Sequence, residues 1–267
     1  GEIKARKPEL LGILQQNQIT SKHAFWDKEI LSMPETQTEL SFSQERMLFI
    51  EQFEQGTDAY HIPYVFELNA DVDLPALERS FQKIVERHPV LNSIYLTDEQ
   101  DKAYVKMLAS TVQMDVESIA PNTPVKTIFD SEISRPFQLD QERPIRLIRY
   151  LGLEKDYLLV IWHHIAFDGW STDVFLNELS LAYQAYSIGN SPVLPELDVS
   201  YADYALWQRQ QLTGSNLEKQ LSFWKRQLDG VETLALPTDS PRPATIDYSG
   251  KDLVFTFDSG LSDQLRQ

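Results

Sequence analysis

The sequence contains no cysteine in its 267 residues. That excludes disulfides, thiolate nucleophiles and cysteine-type zinc sites, and it fits a reducing compartment without demanding one. It also lacks any run of Lys and Arg. The 24 basic residues face 40 acidic ones, and the net charge of −16 repels nucleic acid and anionic membrane surfaces. No apolar run reaches membrane-spanning length. The opening GEIKARKPELLGILQQNQ has neither the long apolar core nor the small-residue cleavage pattern of a signal peptide. Internal repeats and low-complexity tracts are missing too. A soluble, cytoplasmic protein is expected, with no nucleic acid and no membrane among its partners. What remains is ordinary globular composition, 42% apolar and 24% charged, in a length that holds one large domain or two smaller ones.

Residues 8–17, PELLGILQQN, put Leu10, Leu11, Ile13 and Leu14 on one side of a short amphipathic helix that opens on Pro8. Residues 18–40 lose this pattern and read as a linker. Ser41 and Gln44 then have capping-box spacing ahead of a helix carrying Met47, Leu48, Ile50 and Phe53, with Gly56 just past its end. YHIPYVFELNA reads as a strand. DLPALERSFQKIVERHP reads as a helix capped by Asp73 and stopped at Pro89. Strands are expected around 91–96 and 103–108, and a hairpin across PIRLIRYLGLEKDYLLVIWHH whose second strand is apolar on both faces, as a central strand is. Helices are expected at Thr172–Tyr186, in YADYALWQRQQL and in LEKQLSFWKRQLDG. LPTDSPRP is a crossing loop, KDLVFTFD a strand, and SGLSDQLRQ the start of a helix. Strands and helices mix without βαβ alternation, so the fold class is α+β, a layered α/β sandwich.

The chemistry concentrates in HHIAFDG. Only five histidines occur, and His163 and His164 stand side by side at a strand end. Three readings are open. In the structural one, one histidine is buried and bonded while its neighbour faces solvent, because adjacent strand residues point to opposite faces. In the metal reading, the two histidines and Asp168 are the donor kit of a non-haem iron site. Adjacent strand histidines do not easily converge on one ion, however, and His23, His61 and His88 sit in no ligand pattern. In the third reading one histidine is a general base and the other supports it. Gly169 then lets the backbone approach a reacting carbonyl, and free N–H groups at the start of the Thr172 helix favour a developing oxyanion. No G-x-S-x-G elbow is present, so acyl transfer here would be direct, with no acyl-enzyme.

HHIAFDG fits H-H-x-x-x-D-G and resembles the condensation domains of nonribosomal peptide synthetases, members of the chloramphenicol acetyltransferase-like superfamily. Other segments resemble further signatures of that family in order. LSFSQERMLF is similar to S-x-A-Q-x-R, with Ser43 for the alanine. RHPVLNSIY is similar to R-H-x-x-L-R-T-x-F, and YADYALWQR to Y-x-D-Y-A-x-W. FWKRQL and LPTDSPRP match later segments. The resemblance covers about residues 40–267. It implies acetyltransferase-like halves around a tunnel, in which an acceptor amine attacks a donor thioester to form an amide.

Both groups would arrive on phosphopantetheine arms of donor and acceptor peptidyl carrier proteins, with an adenylation domain adjacent. No metal and no directly bound cofactor is implied. By position the resemblance makes His164 catalytic, His163 supporting, Asp168 structural through an arginine, and Gly169 the residue that keeps the channel clear. Where the family has a second arginine this chain has Asn92 and Ser93, so Arg87, Arg46 or an arginine beyond this chain is the candidate replacement.

DGWS argues against epimerisation domains, and the paired histidines argue against heterocyclisation domains. QERMLFIEQFEQGTDAYHIP resembles domains that join two L-residues. Residues 1–20 resemble the last helix of an N-terminal docking domain, which would bring an upstream synthetase as partner; a generic linker helix is the other reading. The expected layout is 1–20 helix, 21–40 linker, 41–217 acetyltransferase-like subdomain, and 218–267 crossover and start of a truncated second subdomain. A fragment weak or inactive alone is therefore expected. The alternatives are a non-catalytic carrier-binding platform and a His/His/Asp metal-dependent oxygenase. Tyr60, Trp162 and Trp170 are candidates to line the tunnel, although large aromatics more often belong to the core.

Overall fold

The apolar segment before the paired histidines becomes an inner strand of a sheet. In the computed structural model, which describes residues 6–19, 30, 39–53, 58–152, 154–241 and 253–266, this strand is β6 (Asp156–His163). His23, Gly56 and nearly all of the expected linker lie outside the described residues. Residues 1–226 make one compact unit and residues 227–267 another.

In the first unit β6 lies between β1 (His61–Leu68) and β5 (Ile145–Leu151), antiparallel to both, and β4 (Asp115–Ser118) joins β5 in parallel. β2 (Ser93–Thr97) and β3 (Ala103–Met107) form a separate antiparallel ribbon. Alternation along β6 decides what each face meets. Leu158, Val160 and Trp162 pack with Leu77, Phe81, Ile84 and Val85 of α3 (Leu74–Arg87) and with Phe175 of α5 (Gly169–Ser187). Leu159 and Ile161 pack on the other side with Leu48 of α2 (Phe42–Phe53), Tyr95 of β2 and Phe129 of α4 (Val125–Ile133). The result is a helix layer, a sheet, and a mixed layer. Covering both faces is why this strand has no polar alternation. Each fully buried aliphatic side chain in it contributes about 1.5–3 kcal/mol.

The helix ends follow from local chemistry. Ser41 and Gln44 form the expected reciprocal cap, at 3.1 and 3.2 Å. Asp73 Oδ1 accepts the Ala76 N–H at 3.0 Å, and α3 stops at His88 because Pro89 follows. α1 (Lys7–Gln16) is present with no buried residue. α6 (Tyr201–Gln211) and α7 (Gly214–Gln227) are the two further helices expected.

Two expectations change. α5 begins at Gly169 rather than Thr172, because Asp168 caps it. In the second unit, residues 253–258 of the expected strand have no ladder partner among the described residues, and Leu253 and Val254 are 84% and 90% exposed. β propensity alone does not make a strand without a neighbour to pair with. α8 (Ser259–Leu265) follows, capped by Asp258. β4 and α4 carry no sequence signal strong enough to read, since all four β4 residues are exposed and α4 has only nine.

Candidate active site

β6 delivers the two histidines to opposite sides. His163, its last residue, points into the layer beneath α2 and is fully buried. Its Nδ1 accepts the Ile165 N–H at 3.1 Å. A backbone N–H can only donate, so the ring proton sits on Nε2, which donates to Glu51 Oε1 at 3.0 Å. Phe137 lies edge-on to the ring at 5.5 Å, and His61, the residue facing His163 across β1, lies at 6.1 Å. Both nitrogens of His163 are therefore occupied by the protein.

His164 is exposed, and its side chain makes no hydrogen bond among the described residues. Its own N–H is tied to the Tyr60 carbonyl at 2.8 Å, and the Tyr60 ring meets the imidazole edge-on at 6.5 Å. The imidazole borders an apolar cavity of about 360 Å³. Ile84, Val90, Phe167, Val174 and Tyr201 are among the residues that line it. An exposed imidazole with free nitrogens beside such a cavity can accept a proton or a hydrogen bond from a bound amine.

Asp168 does not face His164 as a partner in a triad. Its Oδ1 accepts the Ser171 N–H at 2.9 Å and the Ser171 Oγ–H at 2.7 Å, while Ser171 Oγ accepts the Asp168 N–H at 3.2 Å. These bonds form a capping box on α5. They hold the Asp168 carboxyl below its usual range, the Ser171 hydroxyl first, with the nearby His164 adding to the effect. The sequence predicts free N–H groups at the start of this helix for an oxyanion. The Ser171 N–H is instead taken by Asp168. No arginine or lysine lies within ion-pair distance of Asp168 among the described residues, and Arg87 is engaged by Glu178. Asn92, at the position of the missing arginine, accepts from Arg143 Nε at 2.8 Å. Gly169 has ordinary φ, and a methyl group there would meet nothing within 4 Å. The described fold does not itself need glycine at that point.

The three aromatic candidates separate. Trp162 is core, stacked on Phe167 at 4.4 Å, whereas Trp170 is 89% exposed at the cavity rim. Tyr60 sits over the histidine pair.

Several residues at the site escape a reading of the sequence alone. His88 borders the cavity, and its Nε2 meets Glu178 Oε2 at 2.7 Å while Arg87 Nε meets Oε1 at 3.0 Å. Glu178 lies on the buried face of α5 with Phe175 and Ala182. An acid on an apolar helix face is the signal that could have found it. Tyr201 joins Ser41 by a 3.0 Å hydroxyl pair, and burial pushes its phenol pKa up. Among the described residues no group of three or more His, Asp or Glu side chains converges as a ligand set. The oxygenase reading has no donor geometry behind it.

Comparison with known proteins places these features. A family model described as the condensation domain matches residues 34–267. N-(5-amino-5-carboxypentanoyl)-L-cysteinyl-D-valine synthase of Amycolatopsis lactamdurans is 36% identical over 236 residues, 85% of this chain and 6% of the synthase. Malpinin synthetase of Mortierella alpina is 34% identical over 235 residues, 85% of this chain and 3% of the synthetase. Among solved structures, the X-domain in complex with OxyB from teicoplanin biosynthesis matches with a TM-score of 0.70 and 25% identity, over 81% of this chain and 49% of that one. The starter condensation domain of the rhizomide synthetase RzmA matches in fold, with a TM-score of 0.63 at 13% identity, over 73% of this chain and 48% of that one. The chain thus spans about half the length of those solved chains and a small fraction of the curated relatives. No helix among the described residues is long and apolar enough to cross a membrane.

Proposed function

This chain belongs to the condensation-domain family of nonribosomal peptide synthetases, and from that premise we propose that it takes part in joining a donor aminoacyl or peptidyl thioester to an acceptor aminoacyl thioester through a new amide bond. The observation that carries this reading is the split of the two histidines. One is locked in the core and one is free beside an apolar cavity. The amine nitrogen bonds to the donor carbonyl carbon as the C–S bond breaks, and the amine proton ends on the leaving carrier thiolate, either passed on by His164 as base or transferred while His164 holds the amine by a hydrogen bond. Holding amine and thioester together supplies about 7–11 kcal/mol of barrier lowering. A base adds about 10²–10⁴-fold. His163 fixes the turn, Asp168 starts α5 at the right residue, and Gly169 keeps the approach clear.

Both substrates ride on phosphopantetheine arms of carrier proteins, in the cytoplasm, with an adenylation domain adjacent. The subtype is the one that joins two L-residues. Residues 41–217 are the acetyltransferase-like half and 218–267 the opening of the next. Residues 1–20 would meet an upstream synthetase if they belong to a docking domain. A carrier-binding platform without catalysis is the second reading; the likeness to an X-domain solved in complex with OxyB favours a partner-binding role in general. His164, Asp168 and Gly169, all present here, weigh against it.

The test is the intact mass of an acceptor aminoacyl-carrier mixed with a loaded donor carrier. This chain is run alone, extended to the full length of its solved relatives, and extended with His164→Ala. A gain of one residue in the extended protein, lost or strongly slowed in His164→Ala, supports the reading. Confirmed loading with no gain in any sample overturns it in favour of the platform.

A further inference from the structure

The turn that presents His164 is gripped from one helix. α2 places Gln44, Leu48 and Glu51 on a single face by their spacing, and that face meets the end of β6. Glu51 Oε1 accepts from His163 Nε2 at 3.0 Å. The other nitrogen of the same ring accepts the Ile165 N–H at 3.1 Å. Gln44 Nε2 donates to the Ile165 carbonyl at 3.2 Å and lies 3.4 Å from the Tyr95 hydroxyl. Both polar groups of the Ile165 backbone are thus satisfied from α2, one directly and one through an imidazole. His164 is the residue between the two ends of this grip. Its own N–H is held by Tyr60, which leaves its backbone little freedom.

A buried carboxylate is costly unless it is hydrogen-bonded. Leu48, between Gln44 and Glu51 on the same face, shows what an apolar residue does at this depth. Glu51 is set against the Nε2 edge of a ring whose Nδ1 edge faces the Ile165 N–H, so both contacts favour the same proton position. With the proton on Nε2, Nδ1 has a lone pair for Ile165. With the proton on Nδ1, two N–H groups would face each other and the turn would open.

We propose that Glu51 is a positioning residue. Together with the Ile165 N–H it locks the Nε2-protonated tautomer of His163, the ring holds that N–H, and Gln44 holds the other end of Ile165, so that His164 projects into the cavity in one orientation. The role rests on the reading of His164 as the histidine at the reacting centre. Phe137, itself covered by the Arg146 guanidinium at 3.8 Å, packs against the His163 ring together with Tyr60 and His61, and the ring is fully buried.

The first test needs no activity. With five histidines in the chain, ¹⁵N-histidine labelling resolves the ring signals, and ring correlations report which nitrogen carries the proton. The expected result in the wild type is Nε2 protonated and Nδ1 bare at His163. A ring protonated on Nδ1 overturns the proposal without any variant. Glu51→Gln can still accept from Nε2 and is expected to keep the tautomer. Glu51→Leu is expected to mix the tautomers and shift the Ile165 amide. Unchanged signals in Glu51→Leu overturn the role.

The second readout is single-turnover amide formation by the extended protein. Misplacing a reacting group by about 1 Å can cost roughly 10²-fold. Glu51→Leu is expected to slow the chemical step at least about tenfold while leaving the carrier concentration for half-saturation unchanged, and Glu51→Gln to rescue it. A merely structural role would give equal losses in both variants, tracking their melting temperatures, and that outcome also refutes the proposal. If the wild type forms no amide, the condensation reading fails, while the tautomer measurement still decides the grip.

Discussion

Replacing Glu178 by leucine should be strongly destabilising, because this buried acid braces His88, which lines the cavity, and the neighbouring Arg87. The Glu178 side chain is 7% exposed and bonds the last residue of α3 and the one that caps it, with Arg87 Nε at 3.0 Å and His88 Nε2 at 2.7 Å. The Arg87 side chain is 14% exposed. Leucine would leave that guanidinium with the Pro195 carbonyl as its remaining partner. Breaking a buried pair from one side costs about 3–5 kcal/mol. The retained carbonyl and some access to water place Glu178→Leu at the lower end, about 3 kcal/mol. Most of that loss is the stranded charge, so adding Arg87→Met should restore about 2 kcal/mol. Urea unfolding followed by tryptophan fluorescence at neutral pH measures all the variants. A double variant no more stable than Glu178→Leu would refute the reasoning. The loss would then lie in packing between α3 and α5, not in an unpaired arginine.

Other outcomes follow from the same contacts. Asp168→Ala should lose about 1 kcal/mol of stability through the lost α5 cap, whereas Asp168→Asn should stay within a few tenths. If Asn falls as far as Ala in thermal melts, charge pairing and not capping is what Asp168 supplies. His61 is buried, and desolvation holds its pKa below 6.5. The unfolded chain therefore takes up a proton that the folded one refuses. Stability contributed by this ring is complete above pH 6.5 and falls as pH drops from there toward the folded pKa, by at most about 1.4 kcal/mol per pH unit. Urea melts between pH 7.5 and 5.5 should show a smaller decline in His61→Phe than in the wild type. An equal decline would place the titration elsewhere.

Much of this arrangement is legible in the sequence because it rests on local rules. The unbroken LLVIW run marks a strand covered on both faces, and alternation alone says that His163 and His164 part company. The cap at Ser41 and Gln44 and the one at Asp73 follow from spacing. The partners across space do not. Glu51 reaches His163 from α2, and nothing in FIEQF distinguishes it from a surface acid. Glu178 leaves a trace, an acid on the buried face of α5, but its partners Arg87 and His88 sit at the end of another helix. Asp168 shows how local chemistry can mislead. The helical pattern reads from Thr172 with free N–H groups at its start, yet the aspartate caps the helix from Gly169 and takes the Ser171 N–H. The 253–258 segment has strand-like residues, and β structure needs a second chain segment in register.

The central claim is that one histidine is available to a substrate and its neighbour is not. Carbethoxylation with diethyl pyrocarbonate, read by peptide mass at each histidine alongside amide formation by the extended protein, tests it most directly. His164 should be modified rapidly and His163 spared while the protein stays folded. Activity should decline in step with His164 alone and return when hydroxylamine removes the group. Full activity with His164 fully modified would contradict the account, as would modification of His163 at the same rate in the folded protein.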